Sequence, residues 1–138
     1  MSNKYIDFET LKFMLYEVHG LEKLLDKKRF EDYDKEAIDL FLDSIKEFSD
    51  RELYPVFKEM DENPAYYEDG KIYVHEKVKT LMYQGGEMGI ISASFDYKDG
   101  GMQMPLVAHT AAMFILEAAN NHLPGYAGLT QGAAELII

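Results

Sequence analysis

Pro105 to Asn121 reads PLVAHTAAMFILEAANN, and the fold class turns on that stretch. Proline suits the first turn of a helix. Behind it the segment is apolar except at His109, Thr110 and Glu117. A helix that is apolar around most of its circumference needs cover on most sides, so it belongs inside a helical assembly. Glu117 is then expected either to accept hydrogen bonds or a basic partner, or to act as an acid or base with a raised pKa, because a bare buried carboxylate is costly. The structural role is the favoured one, since no second titratable group is placed to help it.

Working outward, the clearest periodic pattern opens at Asp34. Ile38, Phe41, Leu42, Ile45, Phe48, Leu53, Val56, Phe57 and Met60 recur at helical spacing, with Glu, Lys and Asp on the other face. The phase persists across Pro55, which predicts one kinked helix over 34–60 rather than two helices. Asp7 reads as the cap of a first helix carrying Phe8, Leu11, Leu15 and Val18 and ending near Gly20. Residues 21–33 read as a short helical piece and a charged connector. Glu68-Asp69-Gly70-Lys71 reads as a turn in an excursion between helices. A third helix is expected from about His75 to Glu87, stopping by Gly89. Ile90 to Phe95 reads as extended, Leu123 to Gly128 as a loop, and Thr130 as the start of a last helix. The expected fold is all-α, a bundle of about five or six helices.

Composition narrows the function. The 138 residues suit one domain, and 47% hydrophobic with 28% charged residues describes a globular chain. A net charge of −11 argues against nucleic acid and anionic membrane as partners. There is no cysteine, and the start, MSNKYIDFET, lacks the basic and apolar regions of a leader. The apolar 105–119 segment is too short to cross a membrane. The expected setting is cytoplasmic. The region 83–138 holds only six charged residues, Glu87, Asp96, Lys98, Asp99, Glu117 and Glu135. The chain stops on Leu136-Ile137-Ile138 without cap or polar tail, an ending expected of a truncated domain.

Motifs that carry chemistry are few. A di-iron bundle needs Glu-x-x-His on two helices, and none of His19, His75, His109 and His122 has a glutamate three residues before it. No phosphate-binding loop and no Gly-x-Ser-x-Gly is present, and Ser92 and Ser94 have no base in their sequence neighbourhood. Methionines and aromatics such as Met82, Tyr83, Met113, Phe114 and Tyr126 could line an apolar pocket, but at helical spacing they read first as core.

Three stretches, in order, resemble the N-terminal helical domain of acyl-CoA dehydrogenases. They are Phe48-Ser49-x-x-Glu52-Leu53-x-Pro55, then Gly89-Ile90-Ile91 with Tyr97-x-x-Gly100-Gly101-Met102, then Leu116-Glu117-Ala118-Ala119. Phe95-Asp96-Tyr97-Lys98 departs from that family's usual Pro-Glu-x-Tyr, and Gln103 stands where a glycine is common. The opening Thr10-Leu11-Lys12-Phe13-Met14-Leu15-Tyr16-Glu17-Val18 and the late Gly125-Tyr126-x-Gly128-Leu129-Thr130-x-Gly132-Ala133-Ala134-Glu135-Leu136 are similar to the longer members, a group that includes 3-methylthiopropionyl-CoA dehydrogenases.

The resemblance implies an N-terminal helical extension over 1–33 and the family's helical domain over 34–138, truncated at 138. The parent enzyme would use FAD, an acyl-CoA substrate, electron-transfer flavoprotein as acceptor and a homo-oligomeric assembly. Its flavin segments and catalytic glutamate would lie beyond Ile138, so this chain is expected to hold no catalytic residue, no metal and no FAD by itself. Leu123, Ala127 and Gln131 would face the acyl pocket, with Tyr126 and Thr130 as neighbours. The alternative is a stand-alone acidic helical module for interaction or dimerisation, without catalysis.

Overall fold

A computed structural model describes residues 4–138, so residues 1–3 of the expected extension lie outside the described residues. Asp7 caps α1 (Phe8–Phe13) by accepting from the Thr10 amide at 3.2 Å. The run continues through a wide π-turn, Met14–Val18, and stops at Gly20, whose φ of 62° lies in the left-handed region that glycine tolerates. A short α2 (Leu21–Leu25) follows. Asp34 caps α3 (Lys35–Phe48), its carboxylate accepting from the Ala37 amide at 2.8 Å.

Helical geometry then carries on through Pro55 as expected, by a specific route. A π-turn (Ser49–Leu53) and a tight 3-10 turn (Tyr54–Val56) lead into α4 (Phe57–Glu62). Proline has no N–H to donate, and the changes of turn width on either side of it absorb the interrupted hydrogen-bond ladder. One expectation for this run fails. Lys46 belongs to the buried face, not the charged one: it is fully enclosed, its Nζ 2.6 Å from Asp50 and over the Tyr5 ring at 4.7 Å.

The excursion after α4 is a β-hairpin, which corrects the all-α expectation to a mainly helical fold. Strands β1 (Tyr66–Glu68) and β2 (Lys71–Tyr73) pair antiparallel around Asp69-Gly70. Both turn residues have positive φ, 47° and 78°, the combination a two-residue hairpin turn demands. Then α5 (Lys77–Thr80) runs into a third π-turn (Leu81–Gly85), and Gly89, at φ 78°, marks the stop. Ile90–Phe95 is coiled into successive turns instead of being extended. Gly101 explains the tightness, since a Cβ there would lie 2.2 Å from the Phe95 carbonyl oxygen.

The core forms where α3 and α6 (Leu106–Asn120) pack. Ala108, Ala111, Ala112 and Ala119 let the helices approach, and Ile115 and Leu116 fill the centre. Each fully buried aliphatic side chain there contributes roughly 1.5–3 kcal/mol. The last helix, α7 (Pro124–Glu135), starts six residues before the expected Thr130, with Pro124 in its first turn. Thus Leu123–Gly128 is largely helix, not loop. Among the described residues the helices group into six units.

The extension shares this core. Ile6, Phe8, Leu15, Leu21 and Leu25 are buried with α3 and α6. Polar ties reinforce the junction: Tyr16 Oη donates to Asp39 at 3.0 Å, Arg29 pairs with Asp96, and Tyr97 Oη donates to Asp32 at 3.0 Å.

Cover over α6 is incomplete. Thr110 and Glu117 point outward, so Glu117 is an exposed carboxylate and not a buried acceptor or acid–base group. Leu106 and Phe114 lie on the same open stripe, 62% and 52% exposed. On α7 and beyond, Leu129, Leu136, Ile137 and Ile138 are open as well. Among the described residues no helix is long and apolar enough to cross a membrane.

Candidate functional site

The corner between α6 and α7 positions the residues expected to face a pocket. Asn120, almost completely buried, builds that corner. Its Nδ2 donates to the Leu53 carbonyl at 3.1 Å, and its Oδ1 accepts from the His122 amide at 3.1 Å. One side chain thereby ties the end of α6 to the π-turn before Pro55.

The five expected pocket residues divide between two environments. Leu123 and Ala127, one helical turn apart, are sealed into the core at 0% and 2% exposure. Tyr126 and Thr130 lie on the outer side of α7, where the Thr130 hydroxyl donates to the Tyr126 carbonyl at 2.8 Å. Gln131 is half-buried and donates through Nε2 to Glu135 at 3.0 Å. Helical spacing gathers Leu123, Ala127 and Gln131 on one side, and the first two meet protein there.

Tyr126 instead joins residues that its sequence neighbourhood does not suggest. With Met60, Asn63, Pro64, His75 and His122 it lines a pocket of about 90 Å³ between the end of α4, the base of the hairpin and the start of α7. The His75 tautomer follows from its partners: Nδ1 accepts from the Lys77 amide at 3.1 Å, so Nε2 carries the proton and donates to Glu59 at 3.2 Å. His122 Nε2 lies 3.5 Å from Asp61. Two imidazoles, each against a carboxylate, give the pocket a polar side. Among the described residues no cluster of three or more His, Asp or Glu side chains could hold a metal ion.

A second pairing escapes sequence reading altogether. His109 faces inward from α6 and is 1% exposed. Its Nε2 donates to the Ile90 carbonyl at 2.7 Å, which leaves Nδ1 to accept from the Ser94 hydroxyl at 3.0 Å. Ser94 therefore does have a base beside it, fifteen positions away in sequence. A backbone carbonyl stands where a nucleophile-activating triad places a carboxylate, so the pair's clear role is to clamp the 90–95 turns onto α6.

Burial pushes the His109 pKa down, against the opposing pull of the Ile90 carbonyl and the Glu135 charge. A base held neutral in the fold binds fewer protons than the unfolded chain over the interval below the ordinary histidine value of 6.5. Stability is then intact above 6.5 and falls as the pH drops below it. Thermal melts at pH 7.5 and 5.5 are expected to show a lower Tm at the acid value. His109→Gln, which cannot titrate, should flatten that difference, and an equal drop in the variant would contradict this assignment.

No family model, curated protein or solved structure matches this chain.

Proposed function

We propose that this chain is the N-terminal helical part of a flavin-dependent acyl-CoA dehydrogenase. The parent enzyme removes the α-proton of an acyl-CoA thioester with a glutamate base and passes the β-hydride to FAD. Electrons then leave to electron-transfer flavoprotein. The share of this chain is a wall: it supplies part of the acyl pocket near Tyr126, Thr130 and Gln131 and holds no catalytic group. Leu123 and Ala127 act behind that wall by shaping the packing of α7.

The observation that carries the reading is the open apolar face. Leu106 and Phe114 on α6 and Leu129 on α7 are more than half exposed on helices otherwise built to be covered. A helical layer with one apolar face uncovered has the form of one side of a larger assembly. The ordered family-like motifs of the sequence stand beside it.

The sealing of Leu123 and Ala127 favours the alternative, an acidic interaction or dimerisation module, because two of the expected pocket residues meet no open space. The reading frame downstream of the Ile138 codon separates the two. Several hundred further codons with a Gly- and Ser-containing flavin segment are expected; an immediate stop codon would overturn the dehydrogenase reading.

A further inference from the structure

We propose that the cleft between the hairpin and the end of α4 receives a guanidinium group, carried by an arginine side chain of a partner protein. One wall is the cross-strand pair Tyr66 and Tyr73, whose rings stack at 5.0 Å with planes 14° apart. Both rings are open to solvent, at 57% and 40% exposure. Glu62, Asn63, Pro64, Val74 and His75 complete the lining of an open cleft of about 530 Å³. That is room for one long side chain with its flanking backbone.

The electrostatics point to a cation. The continuous helical run from α3 ends at Glu62, so the negative end of its dipole opens beside the cleft. Basic residues stabilise such an end, yet the last turn of α4 has none. It carries Glu59, Asp61 and Glu62 instead, and the run 59–69 holds five carboxylates with no lysine or arginine. The nearby positive groups are engaged or peripheral. Lys77 is turned to Glu52 at 2.7 Å, and Lys71 sits opposite Glu68 in the strand register. Lys58 reaches Glu62 at 3.7 Å from an exposed flank. His75 and His122 face Glu59 and Asp61.

An exposed stacked tyrosine pair in a cleft that Glu62 also lines, beside further acidic residues, suits a planar cation. A guanidinium stacks on tyrosine and forks onto a carboxylate, whereas an ammonium does neither and is more strongly hydrated. The inference stands apart from the dehydrogenase reading and does not depend on it. Its test is a titration of the chain with a capped Gly-Arg-Gly peptide, followed by NMR of the tyrosine rings and His75. The same peptide carrying citrulline, of the same shape but uncharged, is the control. Saturable shifts at Tyr66, Tyr73 and His75 are expected, at least tenfold weaker with citrulline. Glu62→Gln and Tyr66→Leu should each weaken arginine-peptide binding at least threefold. Both positions are solvent-exposed, and an unchanged Tm verifies that the fold is kept. Equal binding of the citrulline peptide, undiminished binding to both variants, or shifts spread evenly along Asp43 and Glu47 of α3 would overturn the proposal.

Discussion

The isolated chain is expected to run as a dimer in solution, with the open face of α6 and α7 as its interface. Six large apolar side chains contribute: Leu106, Phe114, Leu129, Leu136, Ile137 and Ile138. Ile115 and Leu116, the apolar neighbours of Phe114 in sequence, are fully buried and take no part. Burying half of six such side chains is worth on the order of 5–10 kcal/mol. Association costs are of similar size, about 4–15 kcal/mol, so the dimer should be concentration-dependent.

Charge selects this face. A chain of net charge −11 repels its own copy almost everywhere, whereas the last third has few charges to oppose contact. Added salt should strengthen the dimer by screening the remainder. Small residues on α7, Gly125, Gly132 and Ala133, are exposed beside Leu129 and permit close helix approach across a two-fold axis. Light scattering over a concentration series should show the doubling of mass, and Ile137→Asp should abolish or strongly weaken it. A clean monomer at high concentration, with an ordered wild-type tail, would show that this face needs no cover from a second copy.

Asp50→Ala is expected to be the most damaging single polar substitution, costing about 3–5 kcal/mol. Its partner Lys46 is fully enclosed, and the 2.6 Å ion pair is what compensates that buried charge. Burial, reinforced by the neighbouring Asp50, also pushes the Tyr5 pKa up, so the phenol remains protonated and offers no counter-charge. Removing the carboxylate leaves a buried ammonium that lies over the Tyr5 ring without its counter-charge. Replacing both members, Lys46→Met with Asp50→Ala, should recover most of the loss, because the charge goes with its partner. Denaturant melts of the four proteins in the cycle measure this. A mild Asp50→Ala, within about 0.5 kcal/mol of the parent, would mean that the pair is solvated in solution.

Much of the helical framework was legible because it is local. Asp7 and Asp34 are caps by residue type, and the apolar positions from Ile38 to Met60 keep one phase through Pro55. Gly89 stops its helix through a backbone angle that glycine adopts freely. What escaped depends on contacts distant in sequence. Lys46 falls on the inner arc by spacing, but its burial depends on Tyr5 folding across it. The hairpin shows no apolar–polar alternation, since all six of its strand residues are exposed. Its one local signal is the Asp69-Gly70 pair, which by itself specifies a turn and not the strands around it.

The site divides in the same manner. Tyr126 was singled out, but His75 and His122 reach it from separate segments, and no spacing rule connects the three. His109 and Ser94 meet where Gly101 lets the 95–104 stretch fold tightly, the amides of Met102, Gln103 and Met104 donating to the carbonyls of Ser92, Phe95 and Ala93. Leu123 and Ala127, expected in a loop facing the acyl pocket, lie one helical turn apart at the start of α7 and are buried as one face. The burial of that face follows from the packing of α7 on α6, which the apolar, glycine-rich segment does not specify by itself.

The proposal made above is that this chain is part of a flavin enzyme acting on acyl-CoA thioesters. Its most direct test uses the native protein, isolated with antibodies raised against these 138 residues. The account predicts a yellow protein whose flavin band bleaches when an acyl-CoA is added without oxygen, as hydride moves onto FAD. A colourless native protein, or one whose flavin no acyl-CoA reduces, would contradict it.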